Sequence, residues 1–325
     1  MGTFALRRVF GLSACLCLLD GPSAAQQPYP SRPVEIVVPF AAGGAIDIVF
    51  RTIGPSLSNR LGQRVIIVNK SGGGATIGMY AVARAAPDGY TLGAASFAFA
   101  ANPAVLDNMG YDPIKDFQPV TLVARAPMML LVNPETPART VDEFIAWVRS
   151  KPPGTLNYGS VGVASSGHLM TELFLARAGI KMTHVPYNGS PLPGLAQGDT
   201  HLQFSPISTS LPWMNDGRLR AVGVTSLDPE PNFPDLPPVS RTLAGFDTYE
   251  WPGLVAPAGT PRPIIDRLQR EVAATVAEPE VKERFLALGF VPAGTTPEEF
   301  GAHIKKEREL WAGVVRQLGP LRVTQ

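Results

Sequence analysis

Apolar positions along this chain fall into short runs separated by longer stretches of helical spacing. Residues 34–38 (V-E-I-V-V) form a β-branched run suited to a buried strand. Pro39 to Gly44 then turn the chain. Ile46, Val49, Ile53, Leu57 and Leu61 recur at spacings of three and four, which predicts one apolar face of a helix ended by Gly62. The pattern repeats with a strand at 65–68, a glycine loop at 71–74 and a helix over 76–86. A turn at 87–90 then feeds a strand near 91–95. Alternation of this kind predicts an α/β sheet with crossover connections.

A second series begins with strands near 120–123 and 128–132. Thr140 and Glu143 make a capping box that opens a helix to Val148. Tyr158-Gly159-Ser160 leads through a Gly/Ser loop into a helix over 166–177, and strands are expected at 182–185, 201–204 and 219–225. The tail reads as three helices, 261–277, 279–288 and 297–318. The last is opened by Thr296 and Glu299 with Pro297 at the first helical position. Trp147 and Trp311 fall in helices as packing residues, while Trp213 and Trp251 lie near strand ends.

Composition explains the turns. Among 325 residues, 33 are Pro and 32 are Gly, well above the roughly 12% of average proteins. With 45% hydrophobic and 17% charged residues the chain is nevertheless folded rather than disordered. The length suggests about two domains. Residues 1–25 have the three parts of an export signal: Arg7-Arg8, an apolar run over 9–19, and Ser23-Ala24-Ala25 before a cleavage site after Ala25. The run is shorter than the ~20 residues a membrane span needs. Arg7-Arg8-Val9-Phe10 also resembles a twin-arginine motif, which leaves the export route open. Leu12-Ser13-Ala14-Cys15 resembles a lipoprotein box, but simple cleavage is favoured. Both cysteines, Cys15 and Cys17, lie in this segment, so the mature chain has no thiol. Removing it also takes Arg7, Arg8 and Asp20, leaving basic and acidic residues in balance. A neutral chain argues against a nucleic-acid partner.

Two loops carry candidate chemistry. Gly43 and Gly44 beside Asp47, and Gly159-Ser160-Val161-Gly162 with Ser165-Ser166-Gly167, each join a strand to a helix N-terminus. Such ends have unsatisfied N–H donors and partial positive charge, and they attract anions without Lys or Arg. Either loop alone also fits a plain turn or cap, and Asp47 fits a helix cap as well as a ligand contact. A catalytic alternative is a secreted serine hydrolase using Ser160 with His168. The run Tyr158-Gly159-Ser160-Val161-Gly162 lacks the first glycine of a nucleophile elbow, which weighs against it. Gly72, Gly73, Gly74 and Gly78 do not match a dinucleotide fingerprint. The histidines at 168, 184, 201 and 303 have no ligand spacing for zinc. Neither a cofactor nor a metal is expected.

The motifs together resemble the Bug family, the extracytoplasmic receptors of tripartite tricarboxylate transporters. They are Pro39-Phe40-Ala41-Ala42-Gly43-Gly44 with Asp47, Leu61-Gly62-Gln63, Ala86-Pro87-Asp88-Gly89-Tyr90-Thr91, Tyr158-Gly159-Ser160 through Gly167-His168-Leu169, His184-Val185-Pro186-Tyr187, Gly217-Arg218-Leu219-Arg220, and Trp251 with Gly253-Leu254 through Ala256-Pro257. The likeness runs over essentially all of 29–319. It implies a two-domain periplasmic-binding-protein fold of type II, a non-catalytic Venus flytrap with two crossover strands near 120–126 and 248–255. Domain 1 would be discontinuous, 26–122 and 252–325, with domain 2 at 123–251. The implied ligand is a small organic acid gripped by backbone amides and ordered water. The implied partners are membrane transporter subunits or a sensor, and a periplasmic monomer is expected. Carried over, Phe40, Ala42, Gly43, Gly44, Asp47 and Ser96 belong to one wall, and Ser160, Ser165 and Ser166 to the other. Where many relatives carry an Asp, this chain has Ser205. If Ser205 faces the cleft, a negative charge is missing there, which disfavours an amino-acid ligand. Asn188 replaces a residue that is often basic.

Overall fold

The computed structural model describes Gly2 and residues 29–319, apart from 188, 231 and 232. The export signal, except Gly2, and Asn188 lie outside the described residues. The chain runs β1 (Val34–Val38), α1 (Ala45–Leu61), β2 (Val65–Asn69), α2 (Thr76–Ala83), β3 (Thr91–Ala95), α3 (Phe97–Val105) and β4 (Phe117–Leu122). It continues through β5 (Ala124–Val132), α4 (Val141–Arg149), β6 (Asn157–Ser160), α5 (Ser166–Ala178), β7 (Thr183–Pro186), α6 (Leu192–Gln197), β8 (Gln203–Pro206), α7 (Ile207–Asn215), β9 (Arg220–Val224) and β10 (Tyr249–Glu250). The tail is β11 (Gly253–Pro257), α8 (Arg262–Val276), α9 (Pro279–Ala287), β12 (Val291–Pro292) and α10 (Pro297–Leu318).

Two sheets share one plan. The first has the order β2-β1-β3-β11-β4, with β11 antiparallel to both neighbours. In the second, β6 and β7 are parallel, a Tyr158–Leu202 bridge joins β6 to the residue before β8, and β5 pairs antiparallel with β8 and β9. The resulting order is β7-β6-β8-β5-β9. In each sheet the reversed strand is the one by which the chain has just arrived from the other lobe. The two passages are short: Val123 between β4 and β5, and Trp251-Pro252 between β10 and β11. The Val123 and Ala124 amides both donate to Pro252 O, so the passages are tied to each other. β10 and β12 add antiparallel pairs to the start of β5.

Burial follows the periodicity. Val49, Phe50, Ile53 and Leu57 of α1 pack with Leu268, Val272 and Phe285 on one face of the first sheet. Met79, Val82, Phe99, Trp251 and Phe300 fill the other. Phe144, Phe174 and Phe204 centre the core of the second sheet, which also takes in Trp311 and Val314 from the end of α10. That helix therefore begins on one core and ends on the other. Thr296 and Glu299 form its complete capping box. At α4 only half of the expected box exists: Thr140 accepts from the Glu143 amide, while the Glu143 carboxylate takes the Arg139 amide. Trp213 lies within α7 rather than near a strand end. The helix expected over 76–86 stops at Ala83, and α3, α6 and α7 were not anticipated.

Gly253 opens β11 against the Phe300 ring, and a β-carbon there falls inside the ring's van der Waals envelope. Phe300 is fully buried and has no room to swing. Gly253→Ala is therefore expected to cost about 1–3 kcal/mol of unfolding free energy by overpacking. Denaturant unfolding reads this directly, and a loss below about 0.5 kcal/mol would mean that the ring yields.

Candidate functional site

A cleft of about 560 Å³ lies between the two lobes. Its walls are the C-terminal ends of strands and the helices that start there, the usual binding crevice of open α/β sheets. From the first lobe come Phe40, Gly44, Ala45 and Ile46 at the start of α1, and Ser96, Phe97 and Ala98 at the start of α3. Facing them are Ser160, Ser165, Ser166 and Gly167 at the start of α5, and Ser205, Pro206 and Thr209 at the start of α7. The N-termini of these four helices thus converge on one space, with Ser190, Pro191 and Leu192 at the start of the short α6 beside them. The first-turn amides of each have no intrahelical acceptor, and the four dipoles add positive potential. Among the described residues, no Lys, Arg or His lines the cleft. Phe40, Ile46, Phe97, Met128, Phe204 and Phe290 make much of the remaining wall apolar.

Seven of the ten residues singled out in the sequence line this space: Phe40, Gly44, Ser96, Ser160, Ser165, Ser166 and Ser205. Ala42, Gly43 and Asp47 do not. The Gly43 amide, expected to be free for a ligand, donates to Asp47 Oδ2 at 2.8 Å. Arg51 Nε (2.8 Å) and Asn69 Nδ2 (2.8 Å) also donate to the same carboxylate. Burial alone would raise the Asp47 pKa, but these hydrogen bonds outweigh it and the net shift is downward. Asp47 therefore braces the loop after β1 from behind. Trp251 is fully buried in the core.

The serine wall is built locally. Ser165 caps α5 by accepting from the His168 amide, and its hydroxyl donates to Gly162 O. Ala164 holds a left-handed backbone (φ +64°), and its amide donates to His168 Nδ1 at 2.9 Å. The pairing of Ser160 with His168 that the hydrolase alternative needs does not occur. Ser160 Oγ lies 2.7 Å from His184 Nε2, donates to Gly162 O and accepts from Gly162 N. His168 and His184 stack at 4.0 Å, and the Tyr158 ring lies nearly parallel to both, 4.9 Å from His184 and 6.2 Å from His168. Burial pushes the two imidazoles down to about 3 and about 4, so both are neutral near pH 7. The stack backs the wall, and Ser160 is its polar edge.

Two cleft residues went unforeseen. Gln203 is buried, and its side-chain oxygen has no hydrogen-bond partner among the described residues. Glu250, in β10, is the single ionisable side chain among the described lining residues. Burial pushes its carboxyl up to about 7, against the opposing hydrogen bond from the Ser166 hydroxyl; nearby Glu307 adds to the rise. The available signal was an acid set within the apolar passage Tyr249-Glu250-Trp251-Pro252.

A two-lobed α/β fold with strand-end helices facing a cleft defines the class of hinged solute-binding proteins. Residues 49–319 match the model for the tripartite tricarboxylate transporter family receptor. The chain belongs to that family, as a receptor of the Bug type. Protein BugT of Bordetella pertussis is 32% identical over 98% of this chain and 99% of its own. Among solved structures, R. palustris Rpa4515 with adipate is 35% identical with a TM-score of 0.78, covering 90% of this chain and 99% of that one. MatC from Rhodopseudomonas palustris with bound malate is 32% identical with a TM-score of 0.73, over 88% and 100%. Among the described residues no helix is long and apolar enough to cross a membrane.

Proposed function

We propose that this protein captures a small organic acid in the periplasm and presents it, without chemical change, to transporter subunits in the membrane or to a sensor. The observation that carries the reading is the meeting of four helix N-termini in a cleft that, among the described residues, no basic side chain lines. Backbone dipoles take the charge of a carboxylate there, and the apolar walls take its carbon skeleton. The unpartnered oxygen of Gln203 offers one further hydrogen bond to the bound acid. The relatives with adipate and with malate support the same ligand class. We assign 26–122 with 252–325 to one lobe and 123–251 to the other, swinging about the paired passages at Val123 and Trp251-Pro252. Export follows cleavage near Ala25, and the mature chain acts as a monomer.

The hydrolase alternative is the weaker reading. Ser160 is buried, with its hydroxyl engaged by Gly162 and His184. An imidazole with a pKa near 4 is a poor general base at neutral pH.

A thermal-shift panel of mono-, di- and tricarboxylates tests the proposal. A ligand present at about 100 times its Kd should add about 2.7 kcal/mol of stability and raise the melting temperature. No shift with any carboxylate, alongside tight binding of a neutral solute, defeats the reading.

A further inference from the structure

A carboxylic side chain in an anion-binding cleft poses a problem of like charge. Glu250 lies opposite Ala126 in the antiparallel β5–β10 pair, at the hinge between the lobes. Part of its surface faces the cleft, where the Ser166 hydroxyl at the start of α5 acts on its carboxyl. It is therefore an acid in the same cleft as the helix N-termini. A ligand carboxylate entering beside it must either meet a second negative charge or find that charge neutralised.

We propose that Glu250 binds the ligand as the neutral acid, so that capture of a carboxylate carries a proton into the cleft. Its O–H then acts as a hydrogen-bond donor among the backbone donors of the cleft. This inference rests on the carboxylate reading above.

Burial and the like charge of Glu307 favour the neutral form, and they act against the Ser166 hydroxyl, the Trp251 amide and the positive potential of the helix ends. On α10, Glu307 adds a like charge; its Oε2 already accepts from Trp251 Nε1 and Trp311 Nε1, at 3.3 and 2.9 Å. His303 on the same helix is pushed down to about 4, chiefly by burial, and so is neutral. Lys306, also on α10, acts on Asp247 and Glu307. Arg125 of β5 lies over the Tyr249 ring, 5.1 Å from its centroid, and acts on Asp247 and Tyr249. Asp247 and Tyr249 precede Glu250 on its own segment, and β12 (Val291–Pro292) brings no titratable group. From α5 come the Ser166 hydroxyl and the helix N-terminus, both of which favour the charged form. The free protein thus holds a group that changes charge near pH 7 with no cation bonded to it.

The sign follows from linkage. Ligand binding raises the Glu250 pKa further, so affinity is level below about pH 7. Above that it falls by about tenfold per pH unit for one linked proton. Adipate, malate and benzoate, whose carboxylates stay ionised from about pH 6.5 to 9, serve as probes by calorimetry in two buffers of different ionisation enthalpy. The wild type should take up a proton on binding and lose about 50-fold in affinity between pH 7 and 9. Glu250→Gln should abolish both the uptake and the slope, and should bind more tightly than wild type at pH 9. Ser166→Ala removes one bond that favours the charged form, so its fall should begin at higher pH. Binding by the wild type with no pH slope overturns this proposal and leaves the carboxylate reading standing. Preference for an ammonium-bearing acid such as 4-(aminomethyl)benzoate over benzoate, lost in Glu250→Gln, overturns it in favour of a counter-charge role. No binding of any probe by the three proteins overturns both readings.

Discussion

Trp311→Ala should cost about 3–5 kcal/mol of stability, the range for emptying a fully buried aromatic site. Trp311 is 0% exposed and meets Phe97 edge-on, with ring centroids 4.8 Å apart. Its position makes the loss more than local. The first half of α10 packs on the first lobe through Phe300 and Ile304, whereas Trp311 and Val314 enter the core of the second sheet. Removing the indole also strips one of two donors from the buried Glu307 carboxylate, whose pKa burial already raises. A buried acceptor left short of donors costs further free energy. Phe97, backed by this ring, is itself part of the cleft wall. Denaturant unfolding with and without a bound acid separates the effects. A stability loss below about 1 kcal/mol would show that the helix end does not hold the second lobe.

The elements legible in the sequence were those with strong local patterns. α1 announced itself by apolar spacing and a terminal glycine, and Gly62 indeed takes the left-handed turn (φ 71°). β1 and β3 were marked by short apolar runs between turn residues. By contrast α3 (F-A-F-A-A-N-P-A-V) is small, nearly uniform in hydrophobicity and carries Pro103, so no face stands out. α7 (I-S-T-S-L-P-W-M-N) mixes hydroxyl residues with Pro212 and reads as a loop. Both are stabilised by what they pack on rather than by propensity. Missing them hid two of the four helix ends that make the cleft.

The candidate site was legible where glycine and serine precede a periodic helix, as at Gly44 and Ser165-Ser166. It was not legible where the deciding partner is distant in sequence. Whether Asp47 faced a ligand or the loop depended on Arg51 and Asn69 together, and only folding brings Asn69 to it. Ser205 was read as the loss of a negative charge. It does line the cleft, but Glu250 places an acid in the same space from another strand, so the cleft is not without one. A tally of charges along one strand does not describe a cavity assembled from several.

If helix dipoles rather than side chains hold the ligand's charge, a fixed carboxylate at one of those helix ends should evict it. Ala98 is the second residue of α3 and lines the cleft. Ala98→Asp places an acid where the α3 amides point, and the same dipole should leave folding unharmed or improve it by about 0.3–1 kcal/mol. Two carboxylates about 5 Å apart at an effective dielectric near 20 repel by about 3 kcal/mol. Affinity for adipate should therefore fall by about 100-fold or more. Ala98→Asn has nearly the same size and no charge, and should lose less than about tenfold. Titration calorimetry gives the affinities, and thermal melting of the unliganded proteins shows that the fold is kept. The comparison isolates charge from bulk: equal losses in the two variants would mean that α3 contributes shape to the cleft and not potential. A loss confined to the acidic variant, in a protein at least as stable as wild type, would make the converging helix ends the source of anion affinity.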